Sequence, residues 1–149
     1  MLVALSRSVK PVVALVRGGA HGIGFTTSAL ADFIYVTPDA YFSAPFMASG
    51  QSPEGGSTYT FVQQFGLRKA NEVLLMDRVI TAEEAVKTGF ANEILTDLNS
   101  TDYFPDLDKI PAVKKLMNTD YRTIVNAKEL LNKAKDNEKL EFVINWEAR

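Results

Sequence analysis

Residues 10–24 read Lys10-Pro11-Val12-Val13-Ala14-Leu15-Val16-Arg17-Gly18-Gly19-Ala20-His21-Gly22-Ile23-Gly24, and the fold turns on them. The stretch 11–16 is continuously apolar, rich in β-branched residues and too short for a helix. That is the pattern of a strand buried on both faces, and it predicts a central parallel strand. The strand runs directly into four glycines within seven residues, where the backbone can turn sharply and leave its amides bare. Residues 25–31 then have helical composition, so the order is strand, glycine loop, helix.

Working outward, residues 32–36 read as a second strand, Thr37-Pro38-Asp39 as a turn, and residues 40–44 as a third strand stopped by Pro45. Residues 46–57 are too rich in glycine, serine and proline for regular structure. Apolar spacing predicts helices over 57–65 and 70–76. Thr81-Ala82-Glu83-Glu84 is a capping box in which the Thr81 hydroxyl accepts from the third helical amide and Glu84 reaches back to the cap amide. Gly89 closes that helix, and residues 90–95 predict a last short strand. Residues 96–111 read as a polar linker. Residues 112–146 read as amphipathic helices whose apolar faces come from Ile124, Leu130, Leu131, Leu140 and Val143. The opening, Met1-Leu2-Val3-Ala4-Leu5-Ser6, resembles the end of an apolar helix and predicts a chain that begins within a fold.

The composition excludes several functions. The chain has 149 residues, 46% of them hydrophobic, and a net charge of −2, the balance of one compact soluble unit. Its 16 basic and 18 acidic residues are interspersed, so no basic stripe exists to neutralise nucleic-acid phosphates. The absence of Cys excludes disulfides and thiolate metal sites, and a single His leaves little material for any metal. No apolar run approaches the ~20 residues of a membrane span, no secretory signal opens the chain, and no internal repeat is visible.

Two features carry chemistry: the glycine loop after a buried strand, and Glu54 in a glycine-flanked loop after two more strands. A glycine loop at a helix start can bind phosphate. Here Gly22-Ile23-Gly24 lacks the full spaced-glycine fingerprint, and no acidic residue in matching context follows about twenty positions on. The other use of such a loop is to aim a backbone amide at an oxygen that becomes negative. Taken alone, Glu54 reads as a solvated loop acid, the glycine loop as a tight turn, His21 as a packing or surface residue, and the phenylalanines as core.

Sequence order then decides between these. Residues 10–24 resemble the crotonase-superfamily segment that ends in one of its two oxyanion-hole amides. The resemblance continues through Asp32-Phe33-Ile34-Tyr35, Phe42-Ser43-Ala44-Pro45-Phe46, Thr81-Ala82-Glu83-Glu84-Ala85 and Gly89-Phe90-Ala91. Gly50-Gln51-Ser52-Pro53-Glu54-Gly55-Gly56-Ser57-Thr58 is similar to the peroxisomal-type enoyl-CoA isomerases of that superfamily. The resemblance implies an α/β fold: a partial crotonase-like ββα spiral core over residues 1–95, then a linker and helical C-terminal, oligomerising region over 96–149. It also implies that the second oxyanion amide and much of the CoA-adenine site belong to a segment upstream of Pro11, outside these residues.

The same resemblance assigns residues. Ile23 corresponds to the oxyanion amide. Hydratases of the superfamily carry two glutamates, at the positions occupied here by Thr26 and Phe46, so the two-glutamate addition of water is disfavoured. Glu54 stands where the isomerases keep their acid/base, and the mechanism asks for apolar neighbours around it. Ala20, Gly22, Phe25, Phe46, Met47 and Phe61 are expected to contact the acyl-CoA, with Phe42 as further apolar lining. Lys128 and Lys133 correspond to tail lysines that approach CoA phosphates in the family, the competing reading being a solvated helix face. The implied function is isomerisation of 3-enoyl-CoA to 2-trans-enoyl-CoA in unsaturated fatty acid β-oxidation. It needs no cofactor beyond the CoA of the substrate and no metal, and is carried out by a homotrimer or hexamer. The alternative is a non-catalytic acyl-CoA-binding or assembly module, a fragment or degenerate relative of the enzymes. By analogy with the family the expected address is the peroxisome, although Glu147-Ala148-Arg149 is not a Ser-Lys-Leu-like tripeptide; the alternative is the mitochondrion, reached with an N-terminal presequence.

Overall fold

The computed structural model describes residues 1–98 and 105–148. Two small sheets lie under the helices. One contains β1 (Val13–Val16), β3 (Phe33–Val36) and β6 (Glu93–Ile94), all parallel; the other contains β2 (Gly19–His21), β4 (Tyr41–Ser43) and β5 (Ile80–Thr81), with β5 antiparallel to β4. The chain therefore places one strand in each sheet and then a helix. β1 and β2 are followed by α2 (Ile23–Ser28), and β3 and β4 by α3 (Ser57–Phe65) and α4 (Leu67–Leu75). This is the strand-strand-helix spiral that the crotonase resemblance implies.

β1 departs from the expectation of a central strand. Among the described residues it pairs only with β3, in the register Val13↔Phe33 to Val16↔Val36. Its alternate residues do face two apolar clusters: Ala14 and Val16 turn to the main core, and Val13 and Leu15 to a smaller one built on Tyr35, Leu95, Leu98 and Ile110. With one edge unpaired, however, only Val16 is buried.

Gly19-Ala20-His21, read as part of the glycine loop, is a strand. It shows no alternation, and pairing with β4 (Gly19↔Tyr41, Ala20↔Phe42, His21↔Ser43) imposes its extension. A Cβ at Gly19 would lie 2.7 Å from the tip of the Tyr41 ring and from His21 Nε2, so any larger residue there would push these two exposed side chains aside. α2 begins two residues earlier than its composition suggests, and α4 starts at Leu67 because Gly66, at φ 77°, allows α3 to turn directly into it.

The main core is a knot of phenylalanines. Phe25 packs on Phe61 with ring centroids 4.4 Å apart, and Phe65 stacks on Phe90 at 4.8 Å, with Phe42 against both Phe25 and Phe90. Such offset and edge contacts are the favourable geometries for aromatic pairs. α5 (Ala82–Thr88) starts at Thr81, whose Oγ1 accepts the Glu84 amide at 3.3 Å, and ends at Gly89 in the left-handed region at φ 79°. The other half of the expected capping box does not form. The Glu84 carboxylate takes Lys69 at 2.8 Å and Arg78 at 3.0 Å instead, because cations outbid a neutral amide for an acceptor.

Of the expected linker, residues 99–104 lie outside the described residues; the remainder contains a 3-10 turn at Leu107–Lys109 and the buried Ile110. Three helices follow: α6 (Pro111–Met117), α7 (Tyr121–Ala134) and α8 (Asn137–Glu147). The Ala112 amide donates to the buried Tyr35 hydroxyl at 3.1 Å and ties α6 to β3. α7 is held by a salt bridge from Lys128 to Asp32, whose other oxygen accepts the Val12 amide at 2.8 Å. Leu140 and Ile144 of α8 pack on Leu30 and on α1 (Leu2–Ser6). Leu130 and Leu131, expected on a buried face, are 68% and 60% exposed, because the buried side of α7 is organised around Lys128 rather than around them. Among the described residues no helix is long and apolar enough to cross a membrane.

Candidate active site

The glycine loop ends in an available amide. Gly22, at φ 50° and ψ −116°, caps α2 without a side chain, and its own N–H donates to Ser43 O at 2.8 Å. The first intrahelical bond is Thr26 N–H to Gly22 O at 3.0 Å. The Ile23 amide therefore lies in the first turn, where a helix has no acceptors of its own. Ile23 is 44% exposed, so this end of the helix opens outward.

Glu54 approaches from the other side. Between β4 and α3 the chain makes a tight turn, with Ser49 N–H to Pro45 O at 3.1 Å and Gln51 N–H to Phe46 O at 2.8 Å. Asp77 holds it from outside, its two carboxylate oxygens accepting the Met47 amide at 3.0 Å and the Ala48 amide at 2.7 Å. Asp77 adopts φ 54°, a left-handed conformation that Asp tolerates better than most residues. Glu54 follows and is exposed, while Gly55 and Gly56 behind it are buried, both at φ 78°. A Cβ on Gly55 would lie 2.8 Å from Thr26 Cβ and closer still to Thr26 Oγ1. The Glu54 loop is thus pressed against α2 one turn beyond the Ile23 amide, and Thr26 Oγ1 in turn donates to Ile23 O at 3.3 Å. Residues 29 positions apart in sequence, Thr26 and Gly55, bring the two elements together.

The sequence profile of the enoyl-CoA hydratase/isomerase family matches residues 1–149. The chain belongs to that family. It is 40% identical over 89 residues to a Delta(3,5)-Delta(2,4)-dienoyl-CoA isomerase of Pyricularia oryzae, a match covering 60% of this chain and 32% of the relative. It is 42% identical over 88 residues to human enoyl-CoA delta isomerase 2, covering 59% of this chain and 22% of the relative. Among solved structures, an enoyl-CoA hydratase/isomerase from Pseudoalteromonas atlantica superposes with a TM-score of 0.85 at 25% identity, over 99% of this chain and 57% of that one. The chain therefore spans less than two thirds of the length of the relatives it matches.

Within this member of the hydratase/isomerase family, the expected site residues separate into two groups. Ile23 and Glu54 are exposed and Gly22 is half-buried, all three around the Gly55–Thr26 contact, and Met47 is 43% exposed on the preceding turn. Phe25, Phe46 and Phe61, expected to contact the acyl chain, are at most 3% exposed and belong to the core, as does Phe42. Ala20 is half-buried and also packs on that core. The spacing of these rings is as well suited to a knot of aromatics as to a pocket wall, and packing decides for the knot. Glu54 itself is exposed, and its neighbours in sequence are glycine, serine and proline, which supply none of the apolar surroundings expected for it.

Lys128 cannot reach toward a phosphate, since its side chain is 5% exposed and bound to Asp32. Lys133 is a solvated helix residue paired with Glu129 at 3.2 Å. His21 lies at the surface with Nε2 3.2 Å from the Tyr41 hydroxyl. A cleft of about 1040 Å3 opens between α7 and the body, lined by Leu30, Tyr59, Ile124 and Lys128, but neither Glu54 nor Ile23 borders it. Among the described residues no group of three or more His, Asp or Glu could hold a metal ion.

Two residues that shape the site were not foreseen. Asp77 follows the last turn of α4 and precedes Arg78, a placement with no local motif. Glu147 accepts the amides of Gly56 and Thr58 at 2.5 and 3.0 Å from 91 and 89 positions away.

Proposed function

We propose that this chain carries the reacting part of a Δ3-Δ2-enoyl-CoA isomerase, converting 3-enoyl-CoA to 2-trans-enoyl-CoA in unsaturated fatty acid β-oxidation. The observation that carries the reading is the packing of Gly55 on Thr26, which sets the Glu54 loop beside the helix that begins with the Ile23 amide. Glu54 removes a proton from C2 of the 3-enoyl thioester, and the negative charge spreads into a dienolate whose oxygen accepts the Ile23 N–H. The same carboxyl then returns the proton to C4, leaving the double bond between C2 and C3. One proton moves and nothing else is consumed. General acid–base transfer of this kind is worth about 100- to 10,000-fold, and one oxyanion donor about 3 kcal/mol.

The hydratase alternative is disfavoured by Thr26 and Phe46, both buried and neither a carboxylate. In this reading the bound acyl chain provides the apolar cover that the loop around Glu54 lacks. The enzyme works without metal or added cofactor, as a homotrimer or hexamer whose helical region after residue 95 packs on its neighbours. It resides in the peroxisome, or alternatively the mitochondrion. A second reading, a non-catalytic acyl-CoA-binding module, is favoured by the exposure of Glu54. Incubation of the protein with 3-enoyl-CoA and, separately, with 2-trans-enoyl-CoA distinguishes these. Isomerisation of the first without hydration of the second supports the proposal. Formation of 3-hydroxyacyl-CoA at a comparable rate would sink it, and thioester binding with no turnover would favour the module.

A further inference from the structure

We infer that Glu147, the last residue of α8, is a positioning residue for Glu54. Its carboxylate replaces the cap that α3 lacks. Gly56 occupies the N-cap of α3 and has no side chain with which to accept the first amides. Glu147 Oε2 accepts the Gly56 amide at 2.5 Å, and Oε1 accepts both the Thr58 amide at 3.0 Å and the Thr58 hydroxyl at 2.6 Å. Both oxygens are thus engaged at the start of α3.

The placement does not favour α8 itself. A negative charge at a helix C-terminus opposes the helix dipole, whereas at an N-terminus it is stabilised. Glu147 stands at the unfavourable end of its own helix and at the favourable end of α3, so its electrostatic benefit falls on the segment that follows Glu54. The rest of α8 reinforces this grip. A Cβ on Gly56 would lie 2.9 Å from Leu140 Cδ1 and 3.0 Å from Ile144 Cγ1, so α8 covers Gly56 while its terminal carboxylate holds the amide.

Glu54 is therefore followed by two glycines held by different helices, Gly55 by Thr26 of α2 and Gly56 by α8. Two adjacent glycines at φ 78° are the least constrained backbone the chain could place there. Without the carboxylate the pair would sample other conformations, and the distance from Glu54 to the Ile23 amide would spread. A misplacement of about 1 Å in such a site can cost 100-fold in rate. The catalytic consequence rests on the isomerase reading; the clamp itself does not.

The test compares the full chain with Glu147→Gln and Glu147→Ala by amide hydrogen exchange and by turnover of 3-enoyl-CoA. The Ala variant should exchange its Gly56 and Thr58 amides at least about tenfold faster, with later α3 amides unchanged. Its kcat per folded molecule should fall at least about tenfold while KM stays within about twofold. The Gln variant, isosteric and keeping one acceptor oxygen, should be intermediate, and it carries the test if the Ala variant does not fold. Unaltered exchange overturns the inference whatever the turnover, and so does accelerated exchange with unchanged kcat. If the wild type does not turn over 3-enoyl-CoA while exchange responds as expected, the isomerase reading fails and the clamp stands.

Discussion

Replacing Gly55 with alanine should cost far more than replacing Gly50, although both glycines lie in the same loop with positive φ, 78° and 66°. At Gly50 a new Cβ meets nothing within 4 Å, so Gly50→Ala bears only the cost of an L-residue in the left-handed region, about 1–2 kcal/mol. At Gly55 the same strain applies, and the methyl also arrives 2.8 Å from Thr26 Cβ and nearer to Oγ1. Rotating the Thr26 side chain can move Oγ1 but not Cβ. Thr26 is fully buried, so either α2 or the Glu54 loop must shift. Overpacking of this kind adds about 1–3 kcal/mol, giving about 2–5 kcal/mol for Gly55→Ala. Urea denaturation of the two single variants measures the difference directly. Thr26→Ala removes Oγ1 and should recover part of the loss, with a coupling of about 1–2 kcal/mol in the double-mutant cycle. Equal costs at the two glycines, or additive behaviour with Thr26→Ala, would refute the claim that this contact joins the Glu54 loop to α2.

Three further outcomes follow from the packing of the C-terminal helices. Lys128→Met should destabilise by about 3 kcal/mol, toward the lower end for a broken buried pair, because Lys135 at 3.3 Å still faces Asp32; thermal unfolding with a small shift would show that the pair is not holding α7. Burial pushes the Asp32 carboxyl up, but the hydrogen bond from Lys128, the Val12 amide and the charges of Lys128 and Lys135 outweigh it and hold the group below its ordinary range. A carboxyl depressed in the folded state contributes stability above its unfolded value of about 3.9 and loses it as pH falls through the folded value. The wild type should therefore lose stability below about pH 4 more steeply than Asp32→Asn, as read by urea midpoints across that range. Tyr35→Phe strands the buried Ala112 amide and should cost about 1–3 kcal/mol, whereas Tyr121→Phe, on an exposed residue, should cost almost nothing.

The spiral was legible where a segment's own pattern matched its environment. Residues 13–16 and 33–36 are apolar because both faces of their sheet are covered, and the Thr81 cap and Gly89 stop are written locally. β2 was not legible, since Gly19-Ala20-His21 is extended only because β4 lies beside it. The site divides in the same way. The glycine loop and Glu54 could be picked out from neighbouring residues, but their meeting depends on the absence of a side chain at Gly55 against Thr26, a tertiary fact. Asp77 and Glu147 act on loop amides about 30 and 90 positions away, and no local pattern marks a carboxylate for such a role. Phe25, Phe46 and Phe61 show the limit of apolarity as a signal, for it reports burial without saying whether the buried ring faces a ligand or its neighbours.

In the proposed isomerisation Glu54 moves the proton. The most direct measurement is the turnover of 3-enoyl-CoA by Glu54→Gln beside its binding of the same thioester. The variant keeps the size of the exposed side chain and removes only its ability to take a proton. If Glu54 is the base, kcat falls by at least about 100-fold with the dissociation constant within about twofold of wild type. A Glu54→Gln protein that isomerises 3-enoyl-CoA at the wild-type rate would contradict that role.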